Sequence, residues 1–416
     1  MTRTVHRRRW TLDDRAASVW HSLPVEVPAG CEGLAVRLEA PDVPGLVADI
    51  GCEGSAGWRG WSGGARRSFA ITPRRATPGY LSGELEPGTW HVVLGLHRLP
   101  ADGVELTVVA ETGPVPEIPG TSAYDAASAA VVVPQRPPRR DLPAPAGLRW
   151  VACDFHAHTL HSDGSTPVAN IAALGVVAGL DLVAVTDHNT VAHHAELAAV
   201  GSRFGIGLLA GQEVTTESGH ANAFGPIGWV DFRRPAAEWV STVAARDGVL
   251  SVNHPLGGDC SWRQPLPERP PLAEIWHSSW LDLRWTGPLA WWQSWDPATT
   301  PIGGSDWHDA GDLNASPGTP TTWVCVDEAA QGPDELPAAV LDGLRAGRTA
   351  VSAGRNAPIL LRLDDDLLVV GDSGDLLLAG LDGSRRPAPR DGATVPATGR
   401  GQVLIEHGGT VVSLSG

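Results

Sequence analysis

The chain has 416 residues, of which 42% are hydrophobic and 19% charged, so it can bury the cores of more than one globular domain. Its 31 basic and 47 acidic residues give a formal net charge of −16, which argues against nucleic acid or an anionic membrane surface as a partner. All of the basic residues are arginines, which excludes chemistry based on a Schiff-base lysine or a phosphate-loop lysine.

The cysteines and the apolar runs bear on the cellular compartment. The five cysteines are far apart in the chain and none has C-x-x-C spacing, which is typical of reduced thiols and excludes a structural zinc ribbon. The sequence has no apolar run of about 18 residues, and its basic start leads into the polar stretch 11–14 instead of the apolar segment of a signal peptide. We therefore expect a cytoplasmic protein.

Residues 1–132 have the pattern of a β-sandwich. Short apolar or alternating runs, such as 33–38, 68–71 and 90–96, are separated by turns rich in Pro and Gly. Proline then recurs through the following segment and predicts a semi-rigid linker over 133–148. We expect a second domain to begin after this linker.

Residues 149–352 alternate between apolar strands and helices. The residues at 165–167, Ser-Thr-Pro, predict the start of a helix that ends at Gly179. Apolar strands alternating with helices indicate an α/β fold with a parallel sheet, and seven such strands in about 200 residues indicate a distorted seven-fold (β/α) barrel. Short β runs after this domain predict a small β-rich appendage over 353–416. The predicted barrel strands are 150–153, 180–185, 206–210, 220–225, 249–253, 272–276 and 301–304, with further helices at 195–200 and 236–245.

Nearly every predicted barrel strand ends in His, Asp or Glu. In a parallel barrel the carboxyl ends of the strands meet at one mouth, so these side chains should face one another. His156 and His158 are two residues apart and point to the same side of an extended strand, and Asp306 and His308 repeat that spacing. Imidazole and carboxylate ligands without cysteine suit zinc, manganese or iron, with positions left open for water and substrate.

The segments that carry these residues resemble a known family. The run 156–164, His-Ala-His-Thr-Leu-His-Ser-Asp-Gly, is similar to the first motif of the PHP (polymerase and histidinol phosphatase) superfamily. The runs 186–189, 253–255 and 304–308, together with Glu213, resemble its later motifs in the right order. The resemblance covers roughly the predicted barrel and implies a seven-fold αβ barrel with a trinuclear divalent-metal site.

The runs 211–214 and 219–222 resemble in particular the carbaryl-hydrolase-like branch of that superfamily, many of whose members carry β-rich sequence before the barrel. The resemblance implies up to three divalent ions, which could be zinc, manganese or iron. The resemblance implies that the first ion is bound by His156, His158, Glu213 and Asp306. It implies that the second ion is bound by His220, His254 and the bridging Glu213. It implies that the third ion is bound by Asp163, His188 and His308.

The function implied is hydrolysis by a metal-bridging hydroxide, with Asp306 and His254 as the predicted catalytic residues. Bound ions would give the mouth of the predicted barrel a local positive charge on an otherwise acidic protein, which suits an anionic small-molecule substrate. We expect a phosphoesterase acting on a small phosphomonoester or nucleotide, without nucleic-acid or membrane partners. The predicted substrate-binding residues are Arg263, His161 and His193.

Two alternatives stay open. The same hydroxide could attack the carbonyl carbon of a carboxyl or carbamate ester. A pocket lined by the tryptophans between 276 and 307 would favour this ester, and two or more arginines at the mouth would favour phosphate. The second alternative is a non-catalytic, metal-stabilised binding protein. Asp187, Asn253 and Ser305 lie beside ligands in the sequence and are candidates for holding those ligands in place.

Overall fold

The protein is known here from a computed structural model, which describes residues 2–312, 314–371 and 374–416. It has large sheets and short helices, so the prediction of a mixed α/β fold is confirmed. No helix in the described ranges has the length and the hydropathy needed to cross a membrane. The chain forms two compact units. Unit 1 contains Met1–Ala130, His158–Pro167 and Asp187–Ala195, and unit 2 contains Val131–Ala157, Val168–Thr186 and Glu196–Gly416.

Unit 1 is built mainly of antiparallel strands. Its elements are β1 (Thr2–Trp10), α1 (Leu12–Ala17), β2 (Trp20–Val27), β3 (Leu34–Glu39), β4 (Val47–Gly54), β5 (Gly57–Trp61), β6 (Ser68–Ile71), β7 (Gly88–Arg98), β8 (Val104–Thr112) and α2 (Thr121–Ala130). They form two four-stranded sheets, ordered β1-β8-β3-β6 and β2-β7-β4-β5. Alternate residues of each strand point to one face, and Val36 and Leu106 of one sheet share a core with Ile50 and Trp90 of the other.

Unit 2 begins with the strands that carry the predicted ligands. Its first elements are β9 (Leu148–Asp154), α3 (Val168–Ala178), β10 (Leu182–Val185), α4 (His194–Phe204), β11 (Gly207–Thr216), β12 (Gly219–Phe224), α5 (Ala236–Ala245), β13 (Val249–Val252), β14 (Leu272–His277), α6 (Gly287–Trp295) and β15 (Thr300–Gly304). Helix α3 begins directly after Pro167 and helix α5 has the predicted bounds. The strands lie side by side in the order β15-β14-β13-β12-β11-β10-β9.

The prediction of a parallel sheet is wrong at one strand, β12. Strands β9, β10 and β11 are parallel, as are β13, β14 and β15, but β12 is antiparallel to both of its neighbours. Only two residues separate Thr216 from Gly219, whereas a parallel return needs a crossover of about a dozen residues or more. His220 therefore lies at the start of a hairpin strand, opposite Thr215 near the carboxyl end of β11.

The sheet continues past the seven predicted strands. The remaining elements are β16 (Thr321–Asp327), α7 (Leu336–Arg345), β17 (Thr349–Ser352), β18 (Ile359–Leu363), β19 (Asp366–Val370), β20 (Leu376–Gly380), β21 (Arg385–Pro387), β22 (Thr394–Pro396), β23 (Gln402–Glu406) and β24 (Val411–Ser415). Strand β16 pairs antiparallel with β9, and β17, β24, β23, β20 and β21 extend the same sheet. The Thr322 hydroxyl on β16 also donates to the carbonyl of Gly303 at the end of β15, at 2.9 Å.

The proline-rich segment before β9 has no helix or strand, yet its arginines bind it to the rest of unit 2. Arg140 donates to the carbonyls of Arg355 and Ala357 at 2.7 and 2.8 Å, and Arg136 donates to the carbonyl of Gly205 at 2.9 Å. Side-chain hydrogen bonds to main-chain carbonyls take the place of the sheet hydrogen bonds that proline cannot donate.

Candidate metal centre

In unit 2 a buried carboxylate fixes the ends of two ligand-bearing strands. Asp154, the last residue of β9, accepts hydrogen bonds from the amides of His156 at 3.2 Å, Ser305 at 3.0 Å and Gly318 at 2.8 Å. Because Ser305 directly precedes Asp306, these bonds hold the main chain at both His156 and Asp306. No role was predicted for Asp154 from the sequence, and the missed signal was a carboxylate that follows four buried residues of β9.

One oxygen of Glu213 is the meeting point of the unit 2 ligands. Oε1 lies 3.3 Å from Nε2 of His156, 3.2 Å from Nε2 of His254 and 3.1 Å from Nδ1 of His220. It also accepts a hydrogen bond from Nδ2 of Asn253 at 2.9 Å. Strand β11 places Glu213 here, β13 leads directly into the Asn253–His254 pair, and the hairpin brings in His220.

Asp306 adds a second carboxylate beside His156. Its Oδ1 is 3.1 Å from Nε2 of His156, and its Oδ2 is 3.1 Å from Nε2 of His277. His308 bonds through Nδ1 to the main-chain carbonyl of Asp306 at 2.8 Å. Asp306 has φ of +51° and His254 has φ of +24°, both in the left-handed region that non-glycine residues rarely occupy. Such backbone strain is typical of functional sites.

Glu274 and His277 are site residues that were not predicted from the sequence. Glu274, fully buried on β14, accepts from Nδ1 of His156 at 3.1 Å and from the amide of His254 at 2.9 Å. One ligand atom from each of His156, His254, Glu274 and His277 lies within 4.8 Å of the others. The available signal was a carboxylate inside an otherwise apolar strand, since glutamate is almost never fully buried without a partner.

The carboxylates clustered in unit 2 favour the binding of a cation. Burial alone would lower the pKa of His156, but the carboxylates of Asp306, Glu274 and Glu213 raise it well above its usual value. The pKa of His254 is also raised, against the effect of burial, by the neighbouring Glu213. Three buried or half-buried carboxylates thus surround two imidazoles, and a positive charge placed among them is stabilised.

These donor atoms fit a divalent metal ion. Metal–nitrogen bonds of about 2.0–2.1 Å place the ligand atoms of one tetrahedral ion roughly 3 Å apart, which is the spacing around Glu213 and Asp306. Three imidazoles cannot all donate to a single carboxylate oxygen as neutral rings in an ordinary hydrogen-bond arrangement. The ligands are nitrogen and oxygen atoms without sulfur, a set that suits zinc, manganese or iron.

Unit 1 holds the other predicted ligands. The rings of His158 and His188 stack with their centroids 4.4 Å apart, and Nε2 of His188 lies 3.5 Å from Oδ1 of Asp163. The three residues form a second set of nitrogen and oxygen donors. Asp163 and His188 are partly exposed, and His158 is buried.

Buried Asp187 organises the loop that joins the unit 1 ligands. Its carboxylate accepts from the amide and hydroxyl of Thr159 at 2.8 and 2.7 Å, and from those of Ser162 at 3.1 and 2.7 Å. Oδ2 is also 3.1 Å from Nδ1 of His193. Burial alone would raise the pKa of Asp187, but His193 and the neighbouring histidines hold it well below its usual range. Asp187 is therefore an ionised group that shapes the 159–162 loop.

The predicted substrate-binding residues lie in different surroundings. His161 is buried, accepts at Nδ1 from the amide of Gly79 at 3.0 Å, and has Nε2 3.3 Å from the Tyr124 hydroxyl. His193 is buried beside Asp187. Arg263 is exposed, and its guanidinium donates to the Ser261 hydroxyl at 2.9 Å and to the carbonyl of Glu217.

The fold and the two ligand sets define an α/β protein with clustered nitrogen and oxygen donors of the kind that binds divalent cations. No family model and no curated protein matches the chain. Several solved structures are similar to it. One is a two-domain protein containing a predicted PHP-like metal-dependent phosphoesterase from Bacteroides vulgatus, at 17% identity and a TM-score of 0.41, covering 68% of this chain and 91% of that one.

Two further solved structures share parts of the chain. A putative metal-dependent phosphoesterase from Bifidobacterium adolescentis has 19% identity and a TM-score of 0.31, covering 42% of this chain and 92% of that one. An amidohydrolase from Chromobacterium violaceum has 14% identity and a TM-score of 0.28, covering 38% and 88%.

Proposed function

We propose that the protein is a divalent-metal-dependent hydrolase. The observation that carries this proposal is the convergence of His156, His220 and His254 on one oxygen of Glu213, with Asp306 beside them. Divalent ions bound there would act as Lewis acids and lower the pKa of water toward neutrality. The motif order that resembles the PHP superfamily supports the same class of reaction.

The chain's own residues have distinct tasks in this proposal. Glu213 supplies a carboxylate oxygen that several imidazoles share, which keeps those ligands at fixed spacing. Asn253 donates to that oxygen and Asp154 holds the main chain of the strands that lead to it. Asp306 and His254 lie among the donor atoms and are the residues we propose to act closest to the reacting groups.

We propose a small anionic phosphomonoester or nucleotide as the substrate. Its phosphate would approach a centre whose net charge becomes positive when ions are bound, on a chain that is otherwise acidic. Long-range repulsion by the −16 charge disfavours polymeric nucleic acid and anionic membranes as partners. The five cysteines, all in described positions, form no disulfide, and a cytoplasmic location stays our proposal.

One observation favours hydrolysis of a carboxyl or carbamate ester as a second candidate. Arg263, one of the predicted substrate-binding residues, is exposed, and its guanidinium donates to the Ser261 hydroxyl and the carbonyl of Glu217. By contrast Trp276 and Trp280 are buried next to His277 on and after β14, with the amide of Trp280 donating to the carbonyl of His277 at 2.9 Å. If these rings also lined the approach to the ligands, their apolar faces would suit the neutral carbonyl of an ester better than a phosphate dianion.

The trinuclear arrangement and the domain plan are proposals that rest on the sequence. The motifs assign Asp163, His188 and His308 to a third ion, and His156 and His158, two residues apart in the chain, belong to the first motif. We propose a β-sandwich over 1–132, a linker over 133–148, a seven-fold barrel over 149–352 and a β-rich appendage over 353–416. The two four-stranded sheets with a shared core and the ordered strands β9 to β15 support this division.

Metal content and substrate preference test the proposal together. Elemental analysis of the purified protein should find more than one divalent ion per chain, and Glu213→Gln should lose most of them. Turnover of p-nitrophenyl phosphate and p-nitrophenyl acetate should be compared in wild type, Glu213→Gln and the control Glu238→Gln, whose side chain is 46% exposed and paired with Arg234. Preference for phosphate supports the phosphoesterase, and preference for acetate supports the ester hydrolase. A protein that holds divalent ions but cleaves neither substrate would support the metal-stabilised binding protein. A metal-free protein that cleaves neither, after purification with added metal, would overturn the proposal of a metal-dependent hydrolase.

A further inference from the structure

The N-terminal strands of unit 1 hold the loop that carries the ligand Asp163. Arg66, in the loop between β5 and β6, donates through Nη2 to the carbonyl of Leu160 at 2.7 Å and to that of Ser162 at 3.0 Å. Ser162 directly precedes Asp163 in the chain. A single guanidinium therefore bridges two carbonyls of the ligand loop, a geometry that its planar arrangement of donors suits.

A second group of bonds joins the same N-terminal region to both unit 1 loops. The amide of Gly79 donates to Nδ1 of His161 at 3.0 Å, and the carbonyl of Gly79 accepts from the hydroxyl of Thr190 at 2.7 Å. Nε1 of Trp58 donates to the carbonyl of Asn189, the residue after His188, at 3.2 Å. Residues 158–164 and 187–190 are thus both bonded to N-terminal residues close to the ligands that they carry.

The backbones approach closely enough to require glycine. A Cβ atom added to Gly63 would lie 2.9 Å from Cβ of Ser162, closer than real Cβ atoms come to one another. Gly63 also has φ of +61°, in the left-handed region that favours glycine. Ser162 is consequently held on three sides, by Gly63, by Arg66 at its carbonyl and by Asp187 at its amide and hydroxyl.

We propose that Arg66 is a positioning residue for the metal ligand Asp163. The N-terminal region would then contribute to metal binding by holding the loop that carries this ligand. This inference rests on the proposed function, because it assigns the N-terminal region a task in the same site. Removing the guanidinium frees the carbonyls of Leu160 and Ser162, and the loop then samples conformations in which Asp163 does not face His188. Mutation of a residue that orients a metal ligand typically lowers the metal affinity about 10–100-fold.

Three variants test this proposal. Arg66→Ala removes both donated bonds, and Arg66→Lys keeps the charge without the planar fork. Arg67→Ala is the matched control, because Arg67 is exposed and its guanidinium donates to the carbonyl of Ala40, away from the ligand loop. Isothermal titration of each metal-stripped protein with Mn²⁺ or Zn²⁺ gives stoichiometry and affinity. Hydrogen exchange of the Thr159 and Ser162 amides reports the loop itself.

Arg66→Ala should bind one ion about 10–100-fold more weakly, with its remaining ions unaffected, and should exchange the Ser162 amide faster. Arg66→Lys should fall between Arg66→Ala and wild type, and Arg67→Ala should match wild type. Raising the metal concentration should restore turnover in Arg66→Ala, a rescue that loss of folding would not allow. Wild-type affinity, stoichiometry and exchange in Arg66→Ala would overturn the inference.

Two further variants show whether a negative result concerns the folding of Arg66→Ala, the positioning role of Arg66 or metal binding itself. If Arg66→Ala does not fold, Arg66→Lys decides, and wild-type metal affinity in that variant overturns the inference. Glu213→Gln serves as the reference for a lost ligand. If wild type itself binds no metal, the proposed function fails, whereas wild-type binding that is unchanged by the Arg66 variants removes only the positioning role.

Discussion

The carboxylate of Glu274 lies 3.1 Å from Nδ1 of His156, and both side chains are buried. A proton shared between them leaves Nε2 of His156 as the ligand atom, directed at the oxygens of Glu213 and Asp306. The other Glu274 oxygen accepts from the amide of His254 at 2.9 Å. One carboxylate therefore orients two of the ligand-bearing segments, the arrangement of a carboxylate–histidine–metal triad.

Replacing Glu274 should weaken metal binding although His156, Glu213 and Asp306 stay in place. Glu274→Gln keeps the size of the side chain but removes its charge, and we expect about 10–100-fold lower metal affinity by isothermal titration. Glu274→Ala should lose more, because it also leaves His156 without its buried partner. Glu238→Gln, on the surface of α5, controls for the loss of a carboxylate elsewhere. Equal affinity in Glu274→Gln and wild type would contradict this role.

Glu213 should matter more than any single histidine around it. His156, His220 and His254 all face Oε1 of Glu213. Glu213→Gln therefore alters the carboxylate that all three imidazoles share, whereas His220→Asn removes only one of those imidazoles. We expect the bound metal per chain, measured by elemental analysis, to fall further in Glu213→Gln than in His220→Asn. The double variant should then lose little beyond Glu213→Gln alone, because the two residues act as one unit. Additive losses would indicate independent sites.

Where the candidate ligands follow apolar strands, the sequence indicates which of them lie at the same edge of the sheet. His156, Glu213, His254 and Asp306 come directly after or within such strands, and the general rule for the carboxyl ends of parallel strands brings them together. His220 lies at the same edge of the sheet because it begins β12, which runs antiparallel to β11 in a hairpin. The parallel direction predicted for its strand is wrong, because the two-residue turn between Thr216 and Gly219 is too short for a parallel crossover.

Glu274 and Asp154 could not be placed from the sequence alone. Both lie in apolar strands, and whether a strand residue points toward a site or into a core depends on neighbouring strands that the sequence does not reveal. Strand β16 was missed for a related reason. It begins at Thr321 and pairs antiparallel with β9, a pairing across about 170 residues that no local pattern indicates.

Buried Asp187 should be needed for the stability of unit 1 as well as for its ligands. Asp187→Asn places an amide NH₂ against the hydroxyl and amide donors of Thr159 and Ser162. Breaking a buried ionic network of this kind costs on the order of 3 kcal/mol in the free energy of unfolding. Urea denaturation measures that loss, and Asp342→Asn on the exposed face of α7 is the control. A loss no larger than that of the control would show that Asp187 is not held as an ion.

Asp49 should make the stability of the protein depend on pH near neutrality. It is buried on β4, where burial raises its pKa to about 7 although the amides of Ile50 and Gly64 each donate to it at 2.7 Å. Because the folded pKa lies above the unfolded value near 3.8, Asp49 contributes stability that is fully present below that value and is lost as the pH rises through about 7.

The measurement is urea denaturation of wild type and Asp49→Asn at several pH values between about 5 and 8. The substitution changes hydrogen bonding by an amount that does not vary with pH, so the informative quantity is the change with pH and not the absolute stability. The free energy of unfolding of wild type, relative to Asp49→Asn, should decline by on the order of a few kcal/mol across this range. Asp42→Asn, at an exposed position before β4, should follow wild type throughout. Parallel curves for wild type and Asp49→Asn would mean that Asp49 keeps the same charge from about pH 5 to 8.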